Sequence, residues 1–213
     1  MDHTPGQRQF RDLPAFKTYA SKKRGMNDAE FAENVENLLS LQNQYGEKHE
    51  VGAVKETRRL GAMLASHDDT TADHVATSSG NGVSFAEFPT TLEAATACRT
   101  HDIAVMMGAP NLIRGGSHSG NVAAEELAKA DLLDIVSSDY VPSALLLSAF
   151  RLADIWNDLP RAVATVTSNP AKAVRLHDRG TLKSGLRGDV LRVRKIDQTP
   201  LLRGVWSQGN KVG

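Results

Sequence analysis

The sequence predicts an α/β chain made of parallel β/α units, followed by a small β appendage. Three observations carry this reading. Between residues 63 and 174, short apolar runs alternate with amphipathic helical stretches, the pattern of strands joined by helical crossovers. From Asp178 onward the character changes, with Gly180, Gly185 and Gly188 punctuating short β-prone runs. The 213 residues are 40% apolar and 23% charged, which is the composition of a globular chain able to bury a core.

Residues 1–23 read as polar and loop-like, with Thr4-Pro5-Gly6 as a turn signal. Asn27 is the expected N-cap of a long helical stretch reaching Leu64, in which Phe31, Val35, Leu38, Leu39 and Leu41 recur near helical spacing. An interruption is expected near Gly46. The apolar runs that follow are Met63–Ala65, Val83–Ala86, Ile103–Met107 and Leu132–Val136, each a strand candidate. Their helical partners are Ala72–Ser79, Thr91–Thr100, Val122–Ala130 and Ser143–Ile155, with a further helix over Leu159–Val174. Asp189–Val193 and Leu202–Trp206 are the strands of the appendage. The division expected is 1–177 for the β/α part and 178–213 for the β part.

Composition removes whole classes of function. The 25 basic and 25 acidic residues balance to zero net charge, so the basic excess typical of nucleic-acid or anionic-membrane binders is absent. The single cysteine, Cys98, allows neither an internal disulfide framework nor a cysteine-based zinc site, and it fits a reducing compartment. On its helix it reads as a small buried apolar residue. No stretch approaches the ~20 apolar residues of a membrane span. MDHTPGQRQF is too polar for a signal peptide. The expected location is the cytoplasm.

Parallel β/α folds place their chemistry in the loops after the strands. Here those loops are Ser66-His67-Asp68-Asp69, Glu87 to Thr91, Gly108 to Asn121, and Ser137-Ser138-Asp139-Tyr140. Imidazole and carboxylate groups at successive strand ends, here His67, Glu87, His118 and Asp139, are the donors that bind a borderline divalent cation. Each equally admits a plainer reading: His67-Asp68-Asp69-Thr70 as a turn and helix cap, Glu87 as a solvated rim residue, Asp139 as a cap near Ser143. The Gly108–Asn121 segment, with Arg114, Gly115, Gly116, Ser117, His118 and Asn121, reads as an anion cradle, against the alternative of a flexible surface loop. It lacks the Gly-Lys-Ser/Thr ending of a Walker loop. His49, His74, His101 and His177 suit solvated or structural roles.

At these loops the sequence resembles the diphosphatases of phosphonate degradation in the amidohydrolase superfamily. The stretches that carry the resemblance are MDHTPGQRQF, LASHDDTT, AEFPTTLEAA, MGAPNLIRGGSHSGN, LLDIVSSDYVPSALL and SNPAKAVRLHDRGTLKSGLRGDVLRV, in the family's order and covering essentially the whole chain. The resemblance implies a metal-dependent β/α (TIM) barrel beside a small β-sandwich. The implied substrate is a ribose 5-triphosphate bearing a methylphosphonate at the anomeric carbon, from which pyrophosphate is released in the C–P lyase pathway. It implies His67 as the fifth-strand metal ligand, and Asp139 as the eighth-strand residue that contacts metal and takes a proton from the attacking water. Glu87 stands as a ligand where many superfamily members have a sixth-strand His. Arg114, with Gly115, Gly116, Ser117, His118 and Asn121, would steady the polyphosphate. Zinc or manganese suits the donors.

By the same resemblance the chain begins at the fourth strand of an incomplete barrel, lacks the first-strand motif of paired metal ligands, and is a fragment of the enzyme. Two further readings stand beside this one: a non-catalytic anion-binding or assembly module, and an amide or ring hydrolase of the same superfamily. Nucleic-acid and membrane partners are not expected, and homo-oligomerisation is left open.

Overall fold

The computed structural model describes residues 5–117 and 120–213. It divides into two compact units, residues 1–103 and 104–213.

In the first unit, a 3-10 turn over Arg8–Phe10 leads into α1 (Leu13–Arg24) and α2 (Asp28–Leu60). The α1 helix replaces the polar loop expected there. Pro14 sits in its first turn, where a missing N–H costs nothing. Phe16 and Ala20, four residues apart on one face, bury against Phe10 and Phe31 while Lys17 and Thr18 face outward. The aromatic rings pack at tilted angles, Phe10 to Phe16 at 4.9 Å and Phe16 to Phe31 at 5.7 Å.

Asn27 does cap α2, and does so reciprocally. Its side chain accepts from the Ala29 and Glu30 amides, while Glu30 accepts from the Asn27 amide. The expected break near Gly46 does not occur, and α2 runs unbroken for 33 residues. Two interior glycines weaken a helix by only about 1 kcal/mol each, and no proline is present to remove a hydrogen bond. The helix ends at Gly61, whose φ of 63° is the left-handed conformation that terminates helices. Within α2 only Phe31 and Val54 are buried.

The first unit then runs through β1 (Ala65–His67), α3 (Ala72–Asn81), β2 (Phe85–Glu87) and α4 (Leu92–Thr100). β1 and β2 pair in parallel, Ala65 with Phe85, Ser66 with Ala86 and His67 with Glu87. Both helices begin at threonine caps, Thr71 and Thr91, whose hydroxyls accept from the third amide onward. Val75, Ala86, Ala94, Ala95 and Cys98 form the buried interior, so Cys98 is the small apolar residue its position suggested.

The second unit contains β3 (Ala104–Gly108), α5 (Ala109–Arg114), α6 (Ala124–Lys129), β4 (Ile135–Ser137), α7 (Ala144–Trp156), α8 (Leu159–Ala164) and α9 (Ser168–Ala173). β3 and β4 are parallel, with Met106 opposite Ile135 and Gly108 opposite Ser137. The apolar residues of both strands and of α6 and α7 meet in one core, with Val105, Leu127 and Leu152 fully buried. The single helix expected over Leu159–Val174 is two, because the chain leaves helical geometry at Thr167, φ −132° and ψ −86°, after Thr165 has closed the first helix with its hydroxyl on the Ala162 carbonyl. Trp156 anchors α7: its indole N–H donates to the Ala128 carbonyl at 2.8 Å and the Arg161 guanidinium lies 4.0 Å over its ring.

The appendage is an antiparallel sheet of β5 (Val190–Ile196), β6 (Thr199–Ser207) and β7 (Asn210–Lys211), with a bulge at Arg192/Val193. Its strands are longer than the expected Asp189–Val193 and Leu202–Trp206. All four β/α strands are likewise displaced one to three residues toward the C-terminus of the apolar runs that announced them. β1, β2 and β4 continue past their buried residues into a half-buried polar end, whereas β3 ends on the buried Gly108.

Candidate active site

That displacement places His67 and Glu87 as the last residues of β1 and β2, paired in register. Parallel neighbours at matched positions point to the same face, which brings the two side chains together. His67 Nε2 lies 3.7 Å from Glu87 Oε2, and both side chains are partly open to solvent. The Phe88 ring meets the imidazole edge-on at 5.5 Å between centroids. His67 Nδ1 faces inward. It is buried 2.8 Å from Asp68 Oδ2, yet it makes no hydrogen bond among the described residues.

The loops behind this pair are tied to one another by hydrogen bonds. The Asp68 amide donates to the Glu87 carbonyl at 2.9 Å and the Thr90 amide to the Asp69 carbonyl at 2.8 Å. The Thr70 and Thr90 hydroxyls share a 2.8 Å bond, and Thr91 Oγ1 donates to the Thr70 carbonyl at 2.6 Å. His74 Nδ1 accepts from the Thr70 amide, and burial, followed by the nearby Arg8 charge, holds its pKa below the usual histidine value. A cleft of about 1230 Å³ opens between α2 and β1, reaching Ser66, His67 and Ser78.

In the second unit, Asp139 follows β4 by two residues and is exposed. Its carboxylate lies over the last residue of β3: a Cβ built on Gly108 would sit 2.9 Å from Asp139 Oδ2. Gly108 has an ordinary extended conformation, φ −79° and ψ 135°, so glycine is needed there for space. Asp139 itself has φ 50°, as Asp68 has 59° and Phe88 57°. Seven other non-glycine residues among those described, Asp102, Asp131 and Asn157 at helix ends among them, share the left-handed region, so these three are turns that close the strand ends.

The expected cradle is only partly a loop, since Ala109–Arg114 is helical. Pro110 sits in its first turn and Gly115, at φ 84°, ends it. The Gly115 and Gly116 amides both donate to the Asn111 carbonyl, at 3.1 and 3.0 Å. Those two N–H groups are thus engaged within the chain. The Asn111 side chain meanwhile accepts from the Ala124 amide at the start of α6. Arg114 is exposed beside Tyr140, Nη1 to the phenol oxygen at 3.4 Å, and donates through Nη2 to the Gly116 carbonyl. The structure therefore brings Arg114 to the residue that follows Asp139. Ser117 and Asn121 are half-buried nearby in the chain, and His118 lies outside the described residues.

Among the described residues no three His, Cys, Asp or Glu side chains are grouped closely enough to hold a metal ion. His67 and Glu87 fit as two donors of such a set. Sequence reasoning missed two features. The Gly108 contact with Asp139 had no signal beyond a glycine at a strand end. The other is an ion pair between Arg8 and the buried Asp69, two residues that no local pattern connects.

No helix among the described residues is long and apolar enough to cross a membrane. No family model matches the sequence. Among solved structures, an amidohydrolase from Thermotoga maritima superposes with a TM-score of 0.60 at 17% identity, over 95% of this chain and 60% of its own. A prolidase crystallised with N-methylphosphonate-L-proline gives 0.57 at 18% identity, over 75% of this chain and 47% of its own. These likenesses show the amidohydrolase fold. In sequence, the chain is 46% identical over its whole length to the alpha-D-ribose 1-methylphosphonate 5-triphosphate diphosphatase of Escherichia coli (strain K12), and it spans 57% of that protein. On an amidohydrolase fold, the chain is a relative of that diphosphatase from its first residue to its last.

Proposed function

We propose that the chain carries part of a metal-dependent diphosphatase that releases pyrophosphate from alpha-D-ribose 1-methylphosphonate 5-triphosphate and leaves the 5-phosphate, a cytoplasmic step of phosphonate catabolism. The observation that carries this reading is the 46% identity maintained over the whole chain. In the division of labour we propose, residues 1–177 are barrel and 178–213 are sandwich strands.

His67 and Glu87 would hold the divalent ion, zinc or manganese, through the imidazole and the carboxylate. When bound, such an ion acidifies a water and offsets phosphoryl charge. Asp139 takes a proton from the attacking water through its exposed carboxylate. Water oxygen adds to the α-phosphorus, the anhydride bond to the β-phosphate breaks, and pyrophosphate departs with the bond's electrons. The Arg114 guanidinium pairs with polyphosphate oxygens, reinforced by the Tyr140 hydroxyl beside it. Ser117, His118 and Asn121 complete the anion contacts with side chains. Gly115 and Gly116 shape the turn that presents Arg114.

The test is pyrophosphate release by a chimera in which this chain replaces the matching stretch of the E. coli protein. Turnover is expected, together with a loss of about 1000-fold or more in kcat on Asp139→Ala with substrate binding retained. Near-normal kcat in that variant defeats the assignment of the base. Arg114→Ala is expected to raise KM about tenfold or more, and an unchanged KM removes Arg114 from the anion site.

A further inference from the structure

The reaction proposed above gives no task to the segment Gln7-Arg8-Gln9-Phe10, although the structure ties it to the β1 loop. Arg8 Nη1 reaches across 61 positions to donate to Asp69 Oδ1 at 2.7 Å, and across 59 to the His67 main-chain oxygen at 2.9 Å. The Asp69 side chain is fully buried and that of Arg8 is 25% exposed. Asp69 Oδ2 is held from the other side by the Ser78 hydroxyl at 3.2 Å. Between the two groups that Arg8 grips lies Asp68, at φ 59°.

We propose that Arg8 is a positioning residue for His67. The proposal rests on the reading of His67 as a metal ligand. A buried carboxylate requires a partner charge or hydrogen bonds, and Arg8 supplies the charge. The same nitrogen fixes the carbonyl of His67, so one guanidinium holds the main chain before Asp68 and the side chain of the residue after it. The constraint continues from Asp69 and Thr70 to Thr90, three residues beyond Glu87, so Arg8 holds the spacing between the two ligand candidates. Its charge is matched by Asp69, which leaves it a poor site for a substrate phosphate. Its action on the reaction is through His67.

The test compares the full chain with Arg8→Ala, Arg8→Lys and His67→Ala by amide hydrogen exchange and by Mn²⁺ binding in equilibrium dialysis. Arg8→Ala is expected to speed exchange in residues 66–71 and 85–91 by about tenfold or more, while α2 and α4 stay protected. Mn²⁺ affinity should fall about tenfold, the scale set by groups that orient ligands. Arg8→Lys, which keeps the charge, should recover part of both. Unchanged exchange in residues 66–71, or equal acceleration throughout the first unit, overturns the proposal. If Arg8→Ala does not fold, the same comparison is made with Arg8→Ala/Asp69→Asn, which removes both charges. If the wild-type chain and His67→Ala do not differ toward Mn²⁺, the ligand reading of His67 fails, and the exchange result alone then decides whether Arg8 positions the loop.

Discussion

The contact between Gly108 and Asp139 allows a prediction whose sign reverses with the background. A Cβ on Gly108 would stand 2.9 Å from Oδ2, 3.3 Å from Cβ and 3.5 Å from Cγ of Asp139, where relaxed heavy-atom contacts are roughly 3.5–4.0 Å. Because the Gly108 backbone, at φ −79°, suits alanine, Gly108→Ala gains about 0.4–1 kcal/mol by restricting the unfolded chain. Against this, forcing a methyl group into filled space costs about 1–3 kcal/mol. The net expectation is a destabilisation of about 0.5–2 kcal/mol, which lowers Tm by roughly 1–8 °C for a chain of this size. In an Asp139→Gly background all three obstructing atoms are gone and φ 50° suits the new residue. There the same methyl group should raise Tm. Thermal unfolding of the four proteins of this cycle, followed by circular dichroism, measures the coupling. An equal effect of Gly108→Ala in both backgrounds refutes the reasoning. In the chimera, Gly108→Ala should also lower kcat about a hundredfold, because the carboxylate it displaces is the proposed base.

Two further predictions concern stability. The His74 pKa is lowered in the folded chain, first by burial and then by the Arg8 charge, so the unfolded state binds its proton more readily. The stability tied to neutral His74 is thus complete above the unfolded value of about 6.5 and is lost as pH falls through the lower folded value. Urea unfolding between pH 8 and 5 (~3 units spanning that value) should show this decline, and His74→Gln should flatten it. Asn27→Ala removes both acceptor bonds of the α2 cap and should cost about 1 kcal/mol, read as a lower urea midpoint with an unchanged slope.

Periodicity located most of the molecule because burial writes it. The β/α order and the buried Cys98 follow from side chains facing one core, whereas Thr71 caps one residue beyond the cap expected within His67–Thr70, and Thr91 caps at the residue taken as the first of its helix. The strand ends were less legible. Apolar runs mark where a strand is buried, whereas hydrogen-bonded pairing extends to His67, Glu87 and Ser137, where the side chains turn polar. The α1 helix was missed because, among its described side chains, only Phe16 and Ala20 are buried. Gly46 suggested a break that a long, well-capped helix overrides. Of the candidate site, the pairing of His67 with Glu87 follows from the observed register, which the expected runs Met63–Ala65 and Val83–Ala86, unequal in length and ending short of both residues, did not specify. The bond from Arg8 to Asp69 depends on how the chain returns across 61 positions. Local pattern holds no trace of that distance. The glycines of the cradle suggested free amides, and only the helix before them reveals that Asn111 already engages two.

The unbroken α2 helix is about 50 Å long at 1.5 Å per residue, and its side-chain contacts gather toward its two ends: Phe31, Val35 and Leu38 in the aromatic cluster, and Glu50, bonded to Asn81, with the buried Val54 on the other side. The 11 positions from Leu39 to His49, by subtraction of these residue numbers, include no buried residue and rely mainly on their own backbone bonds, and helix of that kind is marginal in water. Gly46 lies within this stretch. A protease given to the native protein should therefore cut first around Tyr45-Gly46, ahead of either end of the helix. The same stretch should accept substitutions and short insertions of whole helical turns more readily than any strand, since little of the surrounding chain reads its side chains.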